Sequence, residues 1–229
     1  MVNERFKRLS LLIGEDETNC LTNKTVLILG LGGVGGYVCE SLARCGVGTL
    51  ILVDFDRVDI TNINRQIIAL TSTIGKLKVD VFKERIKDIN PECNVITYDI
   101  FIDENNYKKL FENDIDYFVD CCDNINAKKH VIKHAVMNKI PIISSMGTGN
   151  RMDPSKLEIV EIRKTAGDPI ARIIRKYFRD ERISGKLMVL CSRELPKKVQ
   201  GVVSSNSFVP SSAGLLISSY IIKELICNK

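Results

Sequence analysis

The chain has 229 residues, 45% hydrophobic and 27% charged, enough apolar material for a sizeable core and a length that fits one α/β domain with an appended part. Its opening, Met1 to Arg8, is polar and charged, and no apolar run approaches the ~18 residues of a membrane span, so the expectation is a cytoplasmic protein with no secretory leader and no membrane partner. Eight cysteines without a C-x-x-C pair predict reduced thiols rather than disulfides, and they lack the spacing of a structural zinc site.

The run Thr25 to Leu29 reads as a buried strand, and Gly30-Leu31-Gly32-Gly33-Val34-Gly35-Gly36 leads from it into a helical pattern, Tyr37 to Cys45. Strand, glycine turn and helix make a phosphate cradle, because backbone N–H groups and a helix N-terminus face the anion. A second strand, Thr49 to Val53, runs into Asp54, where a carboxylate takes ribose hydroxyls. Dehydrogenases share this much, so the residues that follow decide the chemistry.

Asp54-Phe55-Asp56 sets two carboxylates on one face of an extended chain end. Asn62-Ile63-Asn64-Arg65-Gln66 is a dense polar cluster, and Lys76 and Lys78 open a helix to Ile89 with Val79, Phe82, Ile86 and Ile89 on its buried stripe. Further strands are expected at Val95–Tyr98, Tyr117–Asp120 and Ile140–Ser144, with a helix at Asn126–Asn138 burying Val131, Ala135 and Val136. This alternation predicts an α/β fold, a Rossmann-like and mostly parallel sheet with flanking helices. Asp120-Cys121-Cys122-Asp123-Asn124 then ends a buried strand at the carboxyl edge, where such sheets bind ligands. His130 and His134 read as solvated, since Lys128, Lys129 and Lys133 make their helix face cationic.

Beyond Arg151 the pattern becomes a small C-terminal α+β extension. A strand is expected at Leu157–Ile162, a helix starting at Asp168-Pro169, a strand-like run at Leu187–Leu190 and a helix at Ser211–Cys227. The net charge of +5 is concentrated here: residues 151–198 hold 13 Lys/Arg against 7 Asp/Glu. Such a surface suits a polyanion such as nucleic acid, or it is a solvated helix face. In the helix after Asp168, Ile170, Ile173, Ile174, Tyr177 and Phe178 form the apolar face, and Arg172, Arg175, Lys176, Arg179 and Arg182 supply the cations. Cys39, Cys45 and Cys227 are expected in the core, and Cys191 at an accessible position with a minor candidacy as a persulfide acceptor.

Arg65, Lys78 and Asp123 are the candidate catalytic residues. Attack at a nucleotide α-phosphate spreads negative charge over oxygens, which a guanidinium and an ammonium stabilise. A hard cation bridging phosphates needs a carboxylate, and Asp123 is the candidate ligand; taken alone, Asp123 reads as well as a helix N-cap.

In order and spacing, Gly30 to Gly36, Asp54-Phe55-Asp56, Asn62 to Gln66, Lys78 and Asp120 to Asn124 resemble the ubiquitin-activating-enzyme superfamily, which adenylates carboxylates with ATP. The resemblance implies an ATP-binding adenylation region at 1–150, with 151–229 as a basic extension and C-terminal helix packed in the same domain. It implies that Gly30, Gly32, Gly33, Val34 and Gly35, with Asp54 and Asp56, form the nucleotide site, Asp54 holding the ribose. Asn62, Arg65 and Lys78 would contact phosphates, Asp123 would bind Mg2+, and Arg8, or its neighbour Arg5, would reach across a homodimer. Arg5-Phe6 near Ile13-Gly14-Glu15, then Met146 to Pro154, Lys164-Thr165 and Asp168-Pro169, are similar to the tRNA threonylcarbamoyladenosine dehydratase family. That family closes the threonylcarbamoyl group into a cyclic form with ATP, which gives the basic segment a tRNA partner and leaves room for a sulfur-transfer protein partner. The rivals are an adenylyltransferase acting on the C-terminal carboxylate of a ubiquitin-like sulfur carrier, disfavoured by the missing zinc motifs, and an inactive nucleotide-binding module that recruits RNA.

Overall fold

The computed structural model describes residues 2–201 and 203–227, the side chain of Cys227 lying outside the description. Two short helices, α1 (Lys7–Ile13) and α2 (Glu15–Leu21), precede β1 (Thr25–Leu29). Then follow α3 (Gly35–Arg44), β2 (Thr49–Val53), α4 (Lys78–Ile89), β3 (Asn94–Tyr98), β4 (Tyr117–Asp120), α5 (Ile125–Met137) and β5 (Ile142–Ser145). The remainder supplies β6 (Leu157–Glu161), α6 (Pro169–Asp180), β7 (Met188–Ser192) and α7 (Phe208–Cys227).

Among the described residues one seven-stranded sheet forms, in the order β3-β2-β1-β4-β5-β7-β6. All neighbours pair in parallel except β6, which runs antiparallel to β7 with Ile159 opposite Leu190. The central strands β1 and β2 read as near-continuous apolar runs because both faces are covered. Val26 and Ile28 of β1 face the cluster formed with α3, α4 and α7, whereas Leu27 and Leu29 face the cluster formed with α5 and α6. The strand order reverses between β1 and β4. Their carboxyl ends therefore send the chain to opposite faces, α3 to one and α5 to the other, and a crevice opens between them.

Local signals explain the helix ends. Asn124 Oδ1 accepts the N–H groups of Asn126 and Ala127 to start α5, and Asp168 Oδ1 accepts those of Ile170 and Ala171 to start α6, with Pro169 in its first turn. Helix α7 begins ahead of the expected Ser211, because Asn206 Oδ1 takes the N–H groups of Phe208 and Val209 and Pro210 is tolerated in a first turn.

Four expectations are corrected. Cys191 is not accessible: it sits inside β7, opposite Glu158 of β6, and is 1% exposed. Ile173 faces outward at 39% exposure, and Ala171, Ile174 and Phe178 are the residues α6 buries. His130 and His134 are half-buried against rings, His130 stacked on Tyr107 and His134 on Phe111 with centroids 4.2 Å apart. Lys128, read as part of a cationic surface, is completely buried.

Candidate active site

The crevice between the ends of β1 and β4 is a cleft of about 420 Å³. Gly30, Gly32, Gly33, Val34, Asp54, Asp56, Asn62, Arg65, Lys78 and Asp123 all line it. Gly35 stands behind the lining, at the start of α3. Arg8 does not reach the cleft of its own chain and lies exposed on α1. The neighbouring Arg5 is tied down, donating from Nε to the Ile89 carbonyl at 3.2 Å.

The glycine turn has the shape of a phosphate cradle. Gly30 has φ +86, and a Cβ there would lie 2.8 Å from the Cys121 carbonyl oxygen; one on Gly35 would collide with the Gly30 carbonyl. Asp54 fixes the turn from the side: Oδ2 accepts the Leu31 N–H at 2.6 Å and Oδ1 the Asp56 N–H at 2.8 Å. Burial pushes the Asp54 carboxyl above its ordinary value, and the Lys78 ammonium and these two N–H groups only partly hold it down. Each oxygen retains a lone pair for ribose hydroxyls.

Lys78, at the first turn of α4, is buried, 2.7 Å from Asp56 and 4.0 Å from Asp54. The two carboxylates thus share one face and converge on one ammonium. Asn62 Oδ1 accepts the Asp59 N–H in a capping box, which leaves its amide N–H groups free to donate. Arg65 donates to the Thr61 carbonyl and to Asn64 Oδ1, both at 2.9 Å, which holds the guanidinium at the cleft wall. Asp123 is exposed on the opposite wall and, among the described residues, has no hydrogen-bond or ion-pair partner. Asn124 rather than Asp123 caps α5, so the cap reading of Asp123 falls. Among the described residues no three His, Cys, Asp or Glu side chains converge on a common point, so a cation here would take Asp123, phosphate oxygens and water.

Other residues enter the cleft without a role assigned to them from the sequence. Phe55 and Phe101 meet edge to face at the cleft lip, with centroids 4.9 Å apart. Thr148, Ser205 and Pro210 close one wall from the later part of the chain, and Asn64 Nδ2 donates to the Ser205 carbonyl at 3.0 Å. Gln66 lines the cleft with its Oε1 buried and, among the described residues, without a hydrogen-bond partner. Arg151, counted in the basic segment, is withdrawn from the surface. It pairs with Asp168 at 3.0 Å and donates to the carbonyls of Gly147 and Glu194, anchoring the loop that carries Thr148. On α6, Arg172, Lys176 and Arg179 are exposed, whereas Arg175 turns back to bond Thr165.

A glycine turn shaped for phosphate, two carboxylates converging on one ammonium, a guanidinium and an exposed carboxylate meet at one sheet switch point, the place where a doubly wound sheet takes a nucleotide. The chain belongs to the ThiF family, whose model matches residues 6–181. It is 43% identical to the tRNA threonylcarbamoyladenosine dehydratase of Bacillus subtilis (strain 168), over 97% of this chain and 94% of that protein. The enzyme of the same name from Haemophilus influenzae is 39% identical over 78% of this chain and 68% of its own length. The structure superposes with a TM-score of 0.93 on Escherichia coli tRNA N6-threonylcarbamoyladenosine dehydratase in complex with ATP, at 31% identity over 98% of this chain and 94% of that one.

Proposed function

We propose that this chain dehydrates threonylcarbamoyladenosine in tRNA to its cyclic form by ATP-dependent adenylation of the threonine carboxylate. The observation that carries the reading is the convergence of the glycine cradle, Asp54, Lys78, Arg65 and Asp123 on one cleft, in a chain similar over nearly its whole length to enzymes of that name.

The glycine turn and the α3 N-terminus would receive the phosphates and Asp54 the ribose. Arg65, Asn62 and Lys78 would stabilise the charge that builds on the α-phosphate as the carboxylate attacks and pyrophosphate leaves. The ureido group of the same side chain then attacks the activated carbonyl, AMP departs and a five-membered ring closes. Nucleophile and electrophile are tethered, so the effective molarity is high and no enzyme thiol is required. Every described cysteine is buried or half-buried, and burial pushes the Cys121 and Cys191 thiols up to about 12 and about 11; no covalent sulfur step is assigned to them. Asp123 would hold Mg2+, which supplies charge neutralisation at the phosphates.

The exposed cations of α6 would contact the tRNA backbone. A homodimer completes the reading: Arg8 stands on α1 beside Leu11 and Leu12, each 82% exposed, and would enter the partner's cleft as these leucines are covered. The test is product stoichiometry with labelled ATP. One AMP and one pyrophosphate should form per modified tRNA and none with tRNA lacking threonylcarbamoyladenosine; AMP formation independent of the modification would refute the proposal.

A further inference from the structure

Lys128 and Asp120 form a buried ion pair behind the cleft wall, outside its lining. Lys128 lies on the first turn of α5 with no exposed surface, and its ammonium is 2.7 Å from Asp120 Oδ2, 3.2 Å from Ser144 Oγ and 3.0 Å from the Ser145 carbonyl. All three ammonium protons therefore have acceptors. Ser144 Oγ donates in turn to Asp120 Oδ2 at 2.6 Å. The other carboxylate oxygen, Oδ1, accepts the Cys122 N–H at 3.2 Å and the Cys122 thiol at 3.0 Å. The network closes on itself beneath the turn Cys121–Asn124, tying the last residue of β4, the first turn of α5 and β5 together.

A buried charge pair is weak support for stability, because desolvating both ions offsets much of their attraction and apolar replacements of similar volume often serve as well. What the pair holds is the more telling fact. The turn above it carries Asp123, whose carboxylate has no hydrogen bond or ion pair among the described residues, and packs Cys121 against Gly30 of the phosphate cradle. We infer that Lys128, acting through Asp120 and Ser144, is a positioning residue that fixes the Cys121–Asn124 turn, and with it Asp123, against the phosphate end of the nucleotide. This rests on the adenylating function proposed above.

The test separates positioning from mere stability. In Lys128→Met, Asp120 is left buried and unpaired, and melting temperature and turnover should both drop. The double variant Asp120→Asn/Lys128→Met removes both charges together and should recover the melting temperature of the wild type. Its turnover should nonetheless remain roughly 10- to 100-fold down, the usual cost of losing a supporting contact behind a functional ligand, with ATP affinity changed by less than about threefold. Hydrogen exchange should quicken at 121–124 and stay unchanged in β1 and β2. Ser144→Ala, which keeps the charge pair, should fold normally and show the same changes at the lower end of that range. Wild-type turnover together with unchanged exchange at 121–124 in either folded variant would overturn the inference. Failure of the proposed function would appear separately, as absence of cyclised product with the wild-type protein.

Discussion

Asp54 is asked to do two things that pull in opposite directions. Burial raises its carboxyl above the ordinary Asp value of 3.8, so its contribution to folding stability is fully present below that value and is lost as pH rises through the raised one. In the reading proposed above Asp54 holds the ribose, and that role needs the ionised form. ATP affinity should therefore fall on acidification with a midpoint above 3.8, a titration that Asp54→Asn should abolish while weakening ATP by about 1.5–3 kcal/mol; calorimetric ATP titrations across the acid range check both. Arg65 hydrogen-bonds within its own loop and Asp123 has no hydrogen-bond or ion-pair partner among the described residues, so Arg65→Ala and Asp123→Ala should each reduce cyclisation by at least about a hundredfold and leave tRNA binding nearly intact, as filter binding beside turnover would show. These residues were legible because strand, turn and carboxylate follow one another locally. Lys128 was not, since a lysine among lysines looks solvated. The helix phase held the missing clue: position 128 shares the stripe of Val131, Ile132 and Ala135. Cys191 likewise alternates in step with Leu187 and Val189, on the face that packs against α5 and α6.

Among the elements, α6 shows most clearly what a pattern conveys. Its cap and its proline were readable, its apolar stripe only in part: Ile174 and Phe178 are buried as expected, but Ile173 faces outward and Ala171, which the pattern did not single out, is buried in its place. Side-chain fate was less readable, because Arg175 is diverted to Thr165 by a contact distant in sequence. The three cations left outward, Arg172, Lys176 and Arg179, define the RNA prediction. Reversing all three to Glu should weaken tRNA binding and lower the salt slope of log K by about three, with an unchanged melting temperature because the positions are exposed. Identical affinity and slope would return α6 to a solvated face. Helices α1 and α2 escaped sequence reading for a physical reason: each has only seven residues, and α1 buries none of them while exposing Leu11 and Leu12, so no periodic core stripe marks it.

At the scale of the whole molecule, the order of the first five strands follows from β-α-β connections, which cross over with one hand. The placement of β7 between β5 and β6 does not, because it depends on pairing between residues distant in the chain, and it is this pairing that brings Thr148, Ser205 and Pro210 to the cleft. The exposed leucines of α1 point outward from this frame, and their cover is the proposed homodimer. Leu11→Asp/Leu12→Asp should convert a dimer into a monomer in sedimentation equilibrium and lower turnover, whereas Arg8→Ala should lower turnover with the dimer intact; a wild-type monomer with full activity would remove the dimer from the account. The central claim concerns whose carboxylate is activated, and nucleoside mass spectrometry addresses it most directly. With Mg-ATP and tRNA bearing threonylcarbamoyladenosine, the protein should shift the modified nucleoside by the loss of one water, with no shift when ATP is omitted; an unchanged nucleoside in the presence of ATP would contradict it.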